Sequence, residues 1–210
     1  MALETFEKLP ENKKELILST GIKEFSQKSY KDVSTDNITK KCGISKGILF
    51  HYFGSKKGFY FYCLEKAMER LTAKTEGAVG DDFYEILFSG MSRKISVCMQ
   101  YKDEMHMVNM ASRDASLEIA GEKTEIIRRY MTIGQLESAQ TLRKALATLE
   151  FKDEDKKQVT VEGLHIYINA ILNKYLLQYQ QMPDKFFENS DRIKVEMKTY
   201  LDMMLYGICK

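Results

Sequence analysis

The chain has 210 residues, with 32 basic and 30 acidic side chains, a net charge of +2 and only two prolines. This length allows a sizeable core and one or two domains, and the scarcity of proline and of strand signals favours an all-helical fold. Neither an apolar run of about eighteen residues nor an N-terminal apolar stretch of signal-peptide length occurs, so we expect a cytoplasmic protein without membrane spans.

Charge is distributed unevenly along the chain. Residues 1–60 contain 11 lysines and no arginine against 7 acidic side chains, a net charge of +4, which leaves −2 for the remaining residues. A modest excess of this kind is more often a solvated face than a binding surface. If the chain binds DNA, however, the basic N-terminal part is the part suited to it.

A first helix is predicted to begin near Pro10, because proline is tolerated in an opening turn. Apolar or small residues then recur at helical spacing at Leu16, Ile17, Gly21 and Phe25. We expect this helix to pack over the segment that follows it.

The most informative segment runs from Ser34 to Phe59 and reads STDNITKKCGISKGILFHYFGSKKGF. Ser34 is predicted to cap a short helix, and Ser45 is predicted to cap a second one that ends at about Phe53. Between them, Gly43 stands where helices commonly end in a left-handed residue. The pattern therefore predicts a helix, a tight turn and a helix.

Helical spacing divides the side chains of this unit into two sets. The inward set is Ile38, Cys42, Ile44, Leu49 and Phe53, and the outward or rim set is Lys46, Gly47, Ile48, Phe50, His51 and Tyr52. The second helix of such a motif enters the major groove with its N-terminal residues against base edges. There Lys46 can reach a guanine edge or a phosphate, Gly47 permits close backbone approach, and Ile48 can contact a thymine methyl.

A fourth helix is predicted to start at Ser55, with Lys56 and Lys57 in its first turn. Lysine is unfavourable at a helix N-terminus, and a bound phosphate would explain its presence there. Apolar residues continue at helical spacing to about Thr75. They are Phe59, Tyr60, Cys63, Leu64, Ala67, Met68 and Leu71. We expect this helix to connect the DNA-reading part to the rest of the chain.

A set of positions from about Pro10 to Phe59 carries a family resemblance. The matching positions are Phe25, SYKDVST at 29–35, Ile38, GIS at 43–45, Gly47, Leu49, Phe53 and SK at 55–56. In these positions the segment resembles the N-terminal domain of the tetracycline-repressor (TetR) family of transcriptional regulators. The spacing is specific, whereas a helix-turn-helix pattern alone also occurs in proteins that never bind DNA.

The resemblance implies DNA-binding roles for individual residues. Thr35 and Asp36 would lie near phosphates, and Lys56 would bind one. Lys46, Gly47, Ile48 and His51 would lie near the bases, and Phe50 and Tyr52 would occupy the aromatic positions that contact the backbone. The chain departs from the family pattern at Phe50, where tyrosine is usual, and at Thr39 and Cys42, where alanine is usual. Because Phe50 lacks a hydroxyl, we expect Tyr52 or His51 to replace its phosphate contact.

Beyond residue 75 the pattern indicates further helices. Glycines and paired aspartates at residues 77–82 precede a fifth helix, whose apolar stripe comprises Tyr84, Leu87, Phe88, Met91, Ile95, Cys98 and Met99. A short helix is expected around Glu104–Met110 and a long one between Gly121 and Leu149. The predicted fold is all-α, with about nine helices. Its predicted domains are a helix-turn-helix DNA-binding domain at 1–54, a connecting helix at 55–75, and a ligand-binding and dimerisation domain at 76–210.

Two long terminal helices are predicted from apolar stripes on either side of a break at Met182 and Pro183. The stripes are Val161, Leu164, Ile168, Ile171, Tyr175 and Tyr179, then Ile193, Met197, Leu201, Met204 and Ile208. The apolar arcs are wider than one neighbouring helix would cover, which favours a homodimer, although burial within one chain is the alternative. The expected interface residues are Ile168, Ile171, Leu172, Tyr175, Met197, Leu201, Met204 and Leu205.

The resemblance also implies a repressor that binds a roughly palindromic operator and is released by a small-molecule effector. The effector pocket is expected among the fifth to eighth helices, where methionine and aromatic side chains suit apolar ligands. The candidate lining is Met91, Ile95, Met99, His106, Met110, Tyr130 and His165. The same methionines can instead belong to the core, and His165 can be a hydrogen-bonded core or interface residue.

Other classes of function are less well supported. Cys42, Cys63, Cys98 and Cys209 show no paired spacing, so neither a metal site nor a disulfide framework is expected, and no cofactor is predicted. Walker-type glycine-loop and HExxH motifs are absent, which disfavours an enzyme, although helical enzymes can assemble sites from distant residues. An architectural DNA-binding or interaction protein without an effector stays open.

Overall fold

The computed structural model describes residues 2–73, 77–150, 155, 157–179 and 182–206. These residues form eleven helices and no strand, which confirms the all-α prediction. The helices are α1 Ala2–Glu7, α2 Glu11–Gln27, α3 Thr35–Cys42, α4 Lys46–Phe53, α5 Lys56–Leu71, α6 Phe83–Gln100, α7 Lys102–Arg113, α8 Ala120–Leu146, α9 Lys157–Tyr179, α10 Pro183–Glu188 and α11 Ser190–Tyr206. The helices beyond the expected nine are α1 and α10, each of six residues.

The chain packs as two compact units. The first comprises Met1–Lys74 and Gln100–Gln135, and the second comprises Thr75–Met99 and Leu136–Lys210. The predicted functional division at residues 54 and 75 stays a prediction, and its second boundary lies outside the described residues. Packing does, however, place α7 and the first part of α8 with the helix-turn-helix.

The core of the first unit is built mainly from aromatic and branched side chains of α2 and α5. Its fully buried members include Phe6, Ile17, Ile22, Phe25, Ile38, Leu49, Phe59, Leu64 and Met107. Helix α7 packs against both α2 and α5 and contributes Met107. A polar network joins the same three helices, because the Arg70 guanidinium binds the carboxylates of Glu15 and Glu104, the latter at 2.6 Å.

Helix α2 packs closely against α5 at Gly21. A Cβ atom placed on Gly21 would lie 2.4 Å from the Cζ atom of Phe59 and 2.7 Å from the Sγ atom of Cys63. Both neighbours are themselves fully buried. The missing side chain at Gly21 therefore sets the separation of the two helices.

The second unit has a separate core built from α6, α9, α11 and the later part of α8. Five residues expected at a dimer interface lie inside this core: Ile168, Ile171, Tyr175, Met197 and Leu201. Leu172 and Leu205 pack at its edge, and Met204 is exposed. Burial within one chain, the alternative considered for these stripes, therefore accounts for the five core residues. Ile208 of the second stripe lies outside the described residues.

Polar contacts hold the helices of the second unit in register. The Tyr175 hydroxyl donates to the Glu196 carboxylate at 2.8 Å, which links α9 to α11. The Tyr84 hydroxyl donates to Asp202, which links α6 to α11. Within the described ranges, none of the helices has the combined length and apolarity that a membrane crossing requires.

We predict that Gly21→Ala lowers the free energy of unfolding by about 1–3 kcal/mol, the usual cost of overpacking a closed core. Urea-induced unfolding followed by circular dichroism measures this change. The matched control is Gly121→Ala, because Gly121 is an exposed helical glycine, and a Cβ atom placed on it would have no neighbour within 4 Å. There we expect little change, because Gly121 lies in the first turn of α8, where helix propensity matters less than in a helix interior. Equal stability for the two variants would contradict the close approach at Gly21.

Candidate nucleic-acid interface

Helix α3 is fixed by its inward face. Ile38 and Cys42 are buried, as predicted, and Thr35 and Thr39 are buried with them. The buried carboxylate of Glu24 on α2 accepts a hydrogen bond from the Lys41 ammonium at 2.6 Å, which ties α2 to α3. Ser34 has the extended conformation of an N-cap residue, but its side chain makes no capping hydrogen bond.

The turn after α3 depends on a left-handed glycine. Gly43 adopts φ 61° and ψ 40°, a conformation that residues with side chains rarely occupy. The Ile44 amide donates to the Thr39 carbonyl at 3.1 Å, and the Lys13 ammonium donates to the Cys42 carbonyl at 2.6 Å. The end of α3 is thus satisfied by the turn and by a side chain from α2.

Helix α4 presents a continuous exposed surface from its N-terminus. The Ser45 hydroxyl accepts from the Ile48 amide at 3.2 Å, so the predicted cap is present, and Leu49 anchors the helix in the core. Lys46, Gly47, Ile48 and His51 are exposed, and Phe50 and Tyr52 are half-buried. Of the expected inward set, Ile38, Cys42 and Leu49 are buried, whereas Ile44 and Phe53 are half-buried like the rim residues Phe50 and Tyr52.

Lys46 is held by an ion pair at the edge of this surface. Its ammonium lies 3.1 and 3.2 Å from the two carboxylate oxygens of Asp36, in the first turn of α3. It also lies 6.0 Å from the centre of the Phe50 ring. The side chains of Lys46 and Asp36 are 48% and 70% exposed, so the pair is weak and a phosphate or a base can replace Asp36.

Lys56 makes contacts within the chain. The Ser55 hydroxyl accepts from the Gly58 amide at 3.1 Å, which gives α5 its predicted cap. The Lys56 ammonium donates to the Lys31 carbonyl at 3.1 Å and lies 4.8 Å from the centre of the Tyr30 ring. Burial lowers the pKa of Lys56, against the opposing effect of nearby carboxylates. A phosphate would have to compete with these contacts.

Tyr30 connects the loop before α3 to the turn between α7 and α8. Its amide donates to the Asp114 carboxylate at 2.6 Å, and its hydroxyl donates to the Glu118 carboxylate at 2.8 Å. Burial and the Glu118 hydrogen bond raise the pKa of Tyr30. Sequence reasoning missed this link, since no local pattern joins residues that are more than eighty positions apart.

Comparison with known proteins supports the same interpretation of this surface. The family described as bacterial regulatory proteins of the tetR family matches residues 17–63, which contain the helix-turn-helix. The chain is also similar to the uncharacterized HTH-type transcriptional regulator YuxN of Bacillus subtilis strain 168, with 30% identity over 122 residues. That alignment covers 56% of this chain and 40% of YuxN, so it spans less than half of the relative's length.

A second relative aligns over nearly its whole length. The HTH-type negative transcriptional regulator IcaR of the biofilm operon icaADBC, from Staphylococcus aureus strain Newman, is 22% identical over 216 residues, which covers 91% of this chain and 98% of IcaR. Residues 17–63 thus match the tetR family, and the relatives that align with the chain are HTH-type transcriptional regulators. Both relatives are named as transcriptional regulators, which agrees with the prediction that the chain is not an enzyme.

Solved structures of TetR-family regulators share the fold. One from Chloroflexus aurantiacus J-10-FL superposes with a TM-score of 0.58 at 21% identity, covering 97% of this chain and 96% of that one. Another, from Streptomyces coelicolor A3, superposes with a TM-score of 0.51 at 16% identity, covering 92% and 91%. The described residues thus share the all-helical fold of these regulators.

The candidate effector residues fall into both compact units. His106, Met110 and Tyr130 belong to the first unit, whereas Met91, Ile95, Met99 and His165 belong to the second. None of the seven lines the open groove of about 850 Å³ in the first unit, which α1, α4, α5 and α8 border. Ile95 is buried in the second unit, and Met99 is exposed. The Nε2 atom of His165 is buried without a hydrogen-bond partner among the described residues.

The cysteines of the described ranges are free thiols. Cys42 and Cys63 are buried and Cys98 is half-buried, whereas Cys209 lies outside the described residues. Burial raises the pKa of the Cys63 thiol and that of Cys98. A raised pKa disfavours the thiolate that redox chemistry requires.

We predict that Ser45→Ala lowers the free energy of unfolding by about 1 kcal/mol, because it leaves the first turn of α4 without its cap. Chemical unfolding monitored by circular dichroism measures the loss. Ser34→Ala is the matched control, since Ser34 occupies the equivalent position before α3 without a capping bond. A loss of the same size in both variants would show that the Ser45 hydroxyl has no special role.

Proposed function

We propose that the chain is a cytoplasmic transcriptional repressor that binds a palindromic operator as a homodimer and is released by a small-molecule effector. The observation that carries this proposal is the exposed surface of α4. It offers a lysine, a glycine, an isoleucine and a histidine on a capped helix, at the end that enters the major groove in helix-turn-helix proteins. The negative regulation named for IcaR supports repression rather than activation.

We assign the base-reading role to Lys46, Gly47, Ile48 and His51. A Cβ atom placed on Gly47 would have only the Ser45 Oγ atom within 4 Å, at 3.8 Å, so the exposed helix backbone can come close to a base pair. Ile48 is exposed enough to contact a thymine methyl, and Lys46 can exchange Asp36 for a guanine edge. The surface therefore combines one polar and one apolar base contact.

Backbone contacts are assigned to Thr35, Phe50, Tyr52 and Lys56. Lys56 can leave the Lys31 carbonyl for a phosphate, which is a stronger, charged acceptor. Asp36 would be repelled by a phosphate, so its role on DNA is to orient Lys46 rather than to bind the backbone itself. Phe50 supplies an apolar face without the hydroxyl that the family usually has, which leaves a phosphate contact to Tyr52 or His51.

The dimer proposal rests on exposed apolar residues of α9 and α11. Val159, Ile166 and Leu177 recur at seven- and eleven-residue spacing along α9, so they share one stripe. Val195, Met203 and Tyr206 are exposed on α11. Large apolar side chains in contiguous stripes are costly in water, and twofold pairing of these helices would bury them. Leu172, Met204 and Leu205 can add to that interface.

Dimerisation gives the operator its expected symmetry. Two recognition helices about 34 to 36 Å apart would read successive major grooves of a palindrome. An effector that binds more tightly to a conformation with a different separation of the recognition helices would lower the affinity for the operator. The decrease equals the ratio of the effector's affinities for the two conformations. Typical coupling free energies give a decrease of roughly 5- to 150-fold.

The effector site is proposed within residues 76–210. His165 supports it, because a buried imidazole nitrogen without a partner costs free energy that a polar ligand group would recover. Met91, Ile95 and Met99 of the second unit stay candidates for its apolar lining. His106, Met110 and Tyr130 belong to the first unit and are not assigned to this site.

We predict different effects for two lysine variants on binding to DNA fragments selected from the genome. Lys46→Ala should weaken binding to the selected fragment more than to a mixed-sequence duplex, since it removes a base contact. Lys56→Ala should weaken binding to both and reduce the slope of log affinity against log salt by about 0.9, the value for one lost phosphate contact. Fluorescence anisotropy at several salt concentrations measures both quantities.

Footprinting on the selected fragment decides between the repressor and an architectural role. Protection of one short palindrome that is relieved by a small molecule supports the proposal. Diffuse protection without sequence preference supports an architectural protein. Identical affinities and salt slopes for the two lysine variants would contradict the assigned contacts.

We predict that Ile166→Glu converts the dimer to a monomer, because a carboxylate would be buried at the proposed interface. Ile166 is 71% exposed within one chain, so the variant should fold normally. Sedimentation equilibrium measures the association. Leu117→Glu is the control, since Leu117 is 90% exposed in the first unit. A monomeric parent protein, or a dimeric Ile166→Glu variant, would contradict this interface.

A further inference from the structure

Helix α1 lies outside the segment that matches the TetR family. The matched residues are 17–63, and the positions that carry the resemblance begin near Pro10. Helix α1 ends at Glu7, and its Phe6 side chain is only 1% exposed. The chain therefore buries a large aromatic residue from a helix that precedes the matched segment.

Phe6 contacts the last turn of the recognition helix α4. The centre of its ring lies 5.6 Å from that of Tyr52 in an edge-on arrangement and 4.8 Å from that of Phe53. It also lies edge-on to Tyr62 of α5, at 5.4 Å. Contacts of this geometry are favourable beyond the area they bury. Phe6 therefore joins the C-terminal end of α4 to α5.

A second set of contacts fixes α1 itself. The Tyr62 hydroxyl donates to the Glu7 carboxylate at 2.9 Å, and the Lys14 ammonium lies 3.6 Å from the same carboxylate. The Leu9 amide donates to the Phe6 carbonyl at 3.0 Å, which closes the turn before α2. Helix α1 is thus tied to α5 and α2, so it provides a fixed support for Phe6.

Helix α4 needs such a support because it is short and mostly exposed. It has eight residues, and Leu49 is the one that is buried. Helices of this length are marginal without tertiary contacts. Leu49 holds the middle of the helix, and Phe6 holds its end through Tyr52 and Phe53. Tyr52 lies in turn next to His51, with ring centres 5.9 Å apart, so the contact reaches the exposed surface.

We propose that α1 is a brace for the recognition helix and that Phe6 is a positioning residue for operator discrimination. Phe6 does not touch DNA in this proposal. It fixes the direction of α4, so that Lys46, Ile48 and His51 meet the base edges together. The proposal rests on the DNA-binding function assigned to α4 above.

The test compares three variants in full-length protein. Phe6→Ala removes the ring, Phe6→Leu keeps most of the apolar volume, and Leu3→Ala is the control on the same helix, where Leu3 is 44% exposed. Anisotropy titrations use the genomic fragment selected by the parent protein and a mixed-sequence duplex of equal length, at a temperature where all variants are folded. The ratio of the two affinities measures discrimination.

We expect Phe6→Ala to lose discrimination on the order of tenfold, comparable with one mismatched base pair in the site. Affinity for the mixed-sequence duplex and its salt slope should stay unchanged, because the phosphate-binding lysines are intact. Phe6→Leu should recover most of the loss, and Leu3→Ala should behave like the parent protein. If Phe6→Ala lost the same factor of affinity for both duplexes, or kept the discrimination of the parent protein, the proposal that α1 braces α4 would be wrong.

Amide hydrogen exchange in the absence of DNA tests the brace separately from the proposed function. In Phe6→Ala we expect faster exchange at the end of α4, at Tyr52 and Phe53, with α2 unchanged. Uniformly faster exchange throughout the first unit, or no change in α4, would overturn the proposal. If the parent protein binds no duplex in preference to mixed-sequence DNA, the proposed function is wrong. The hydrogen-exchange pattern then tests by itself whether α1 supports α4.

Discussion

The separation of α2 and α5 at Gly21 determines the geometry of the first unit. Because Phe59 and Cys63 occupy the space that a side chain would fill, the two helices come close enough for Phe25 to meet Tyr60 with ring centres 4.9 Å apart. Phe59 then contacts Phe53 at the end of α4, at 4.8 Å. The close packing that Gly21 permits between α2 and α5 thus affects α4, because Phe59 of α5 contacts the end of that helix.

The cations near that surface are held by partners that can be exchanged. Lys46 pairs with an exposed aspartate, and Lys56 binds a carbonyl and the face of Tyr30. Exposed pairs of this kind contribute little to stability, so their replacement by phosphates or base edges costs little. At the same time they restrict the side chains to the neighbourhood of the groove, which reduces the entropy lost on binding. The free protein thus holds its lysines near the positions proposed for DNA contact.

Local sequence patterns predicted the helix-turn-helix well, because its determinants lie within a few residues of each other. The caps at Ser45 and Ser55 and the left-handed Gly43 follow from residue type and position alone. Ser34 shows the limit of that reasoning, since the same residue type at an equivalent position makes no capping bond.

Helix α1 was missed because six residues are too few to show a helical period. The contacts of Tyr30 and Arg70 were missed because they join segments that are far apart in sequence. The helical spacing of apolar residues on α9 and α11 correctly identified buried residues such as Ile168 and Leu201. That spacing does not show whether the same chain or a second copy covers them.

The packing of α7 against α2 and α5 has a consequence for any attempt to exchange DNA specificity between regulators. Met107, Ala111 and Ile119 complete the same core as Ile17 and Phe59, although they come from a distant part of the sequence. A fragment that ends after α5 would leave the apolar surface covered by these residues exposed to water. Chimaeric proteins that graft this N-terminal region onto another effector domain therefore need to carry residues 100–135 along with it, or to rebuild the surface those residues cover.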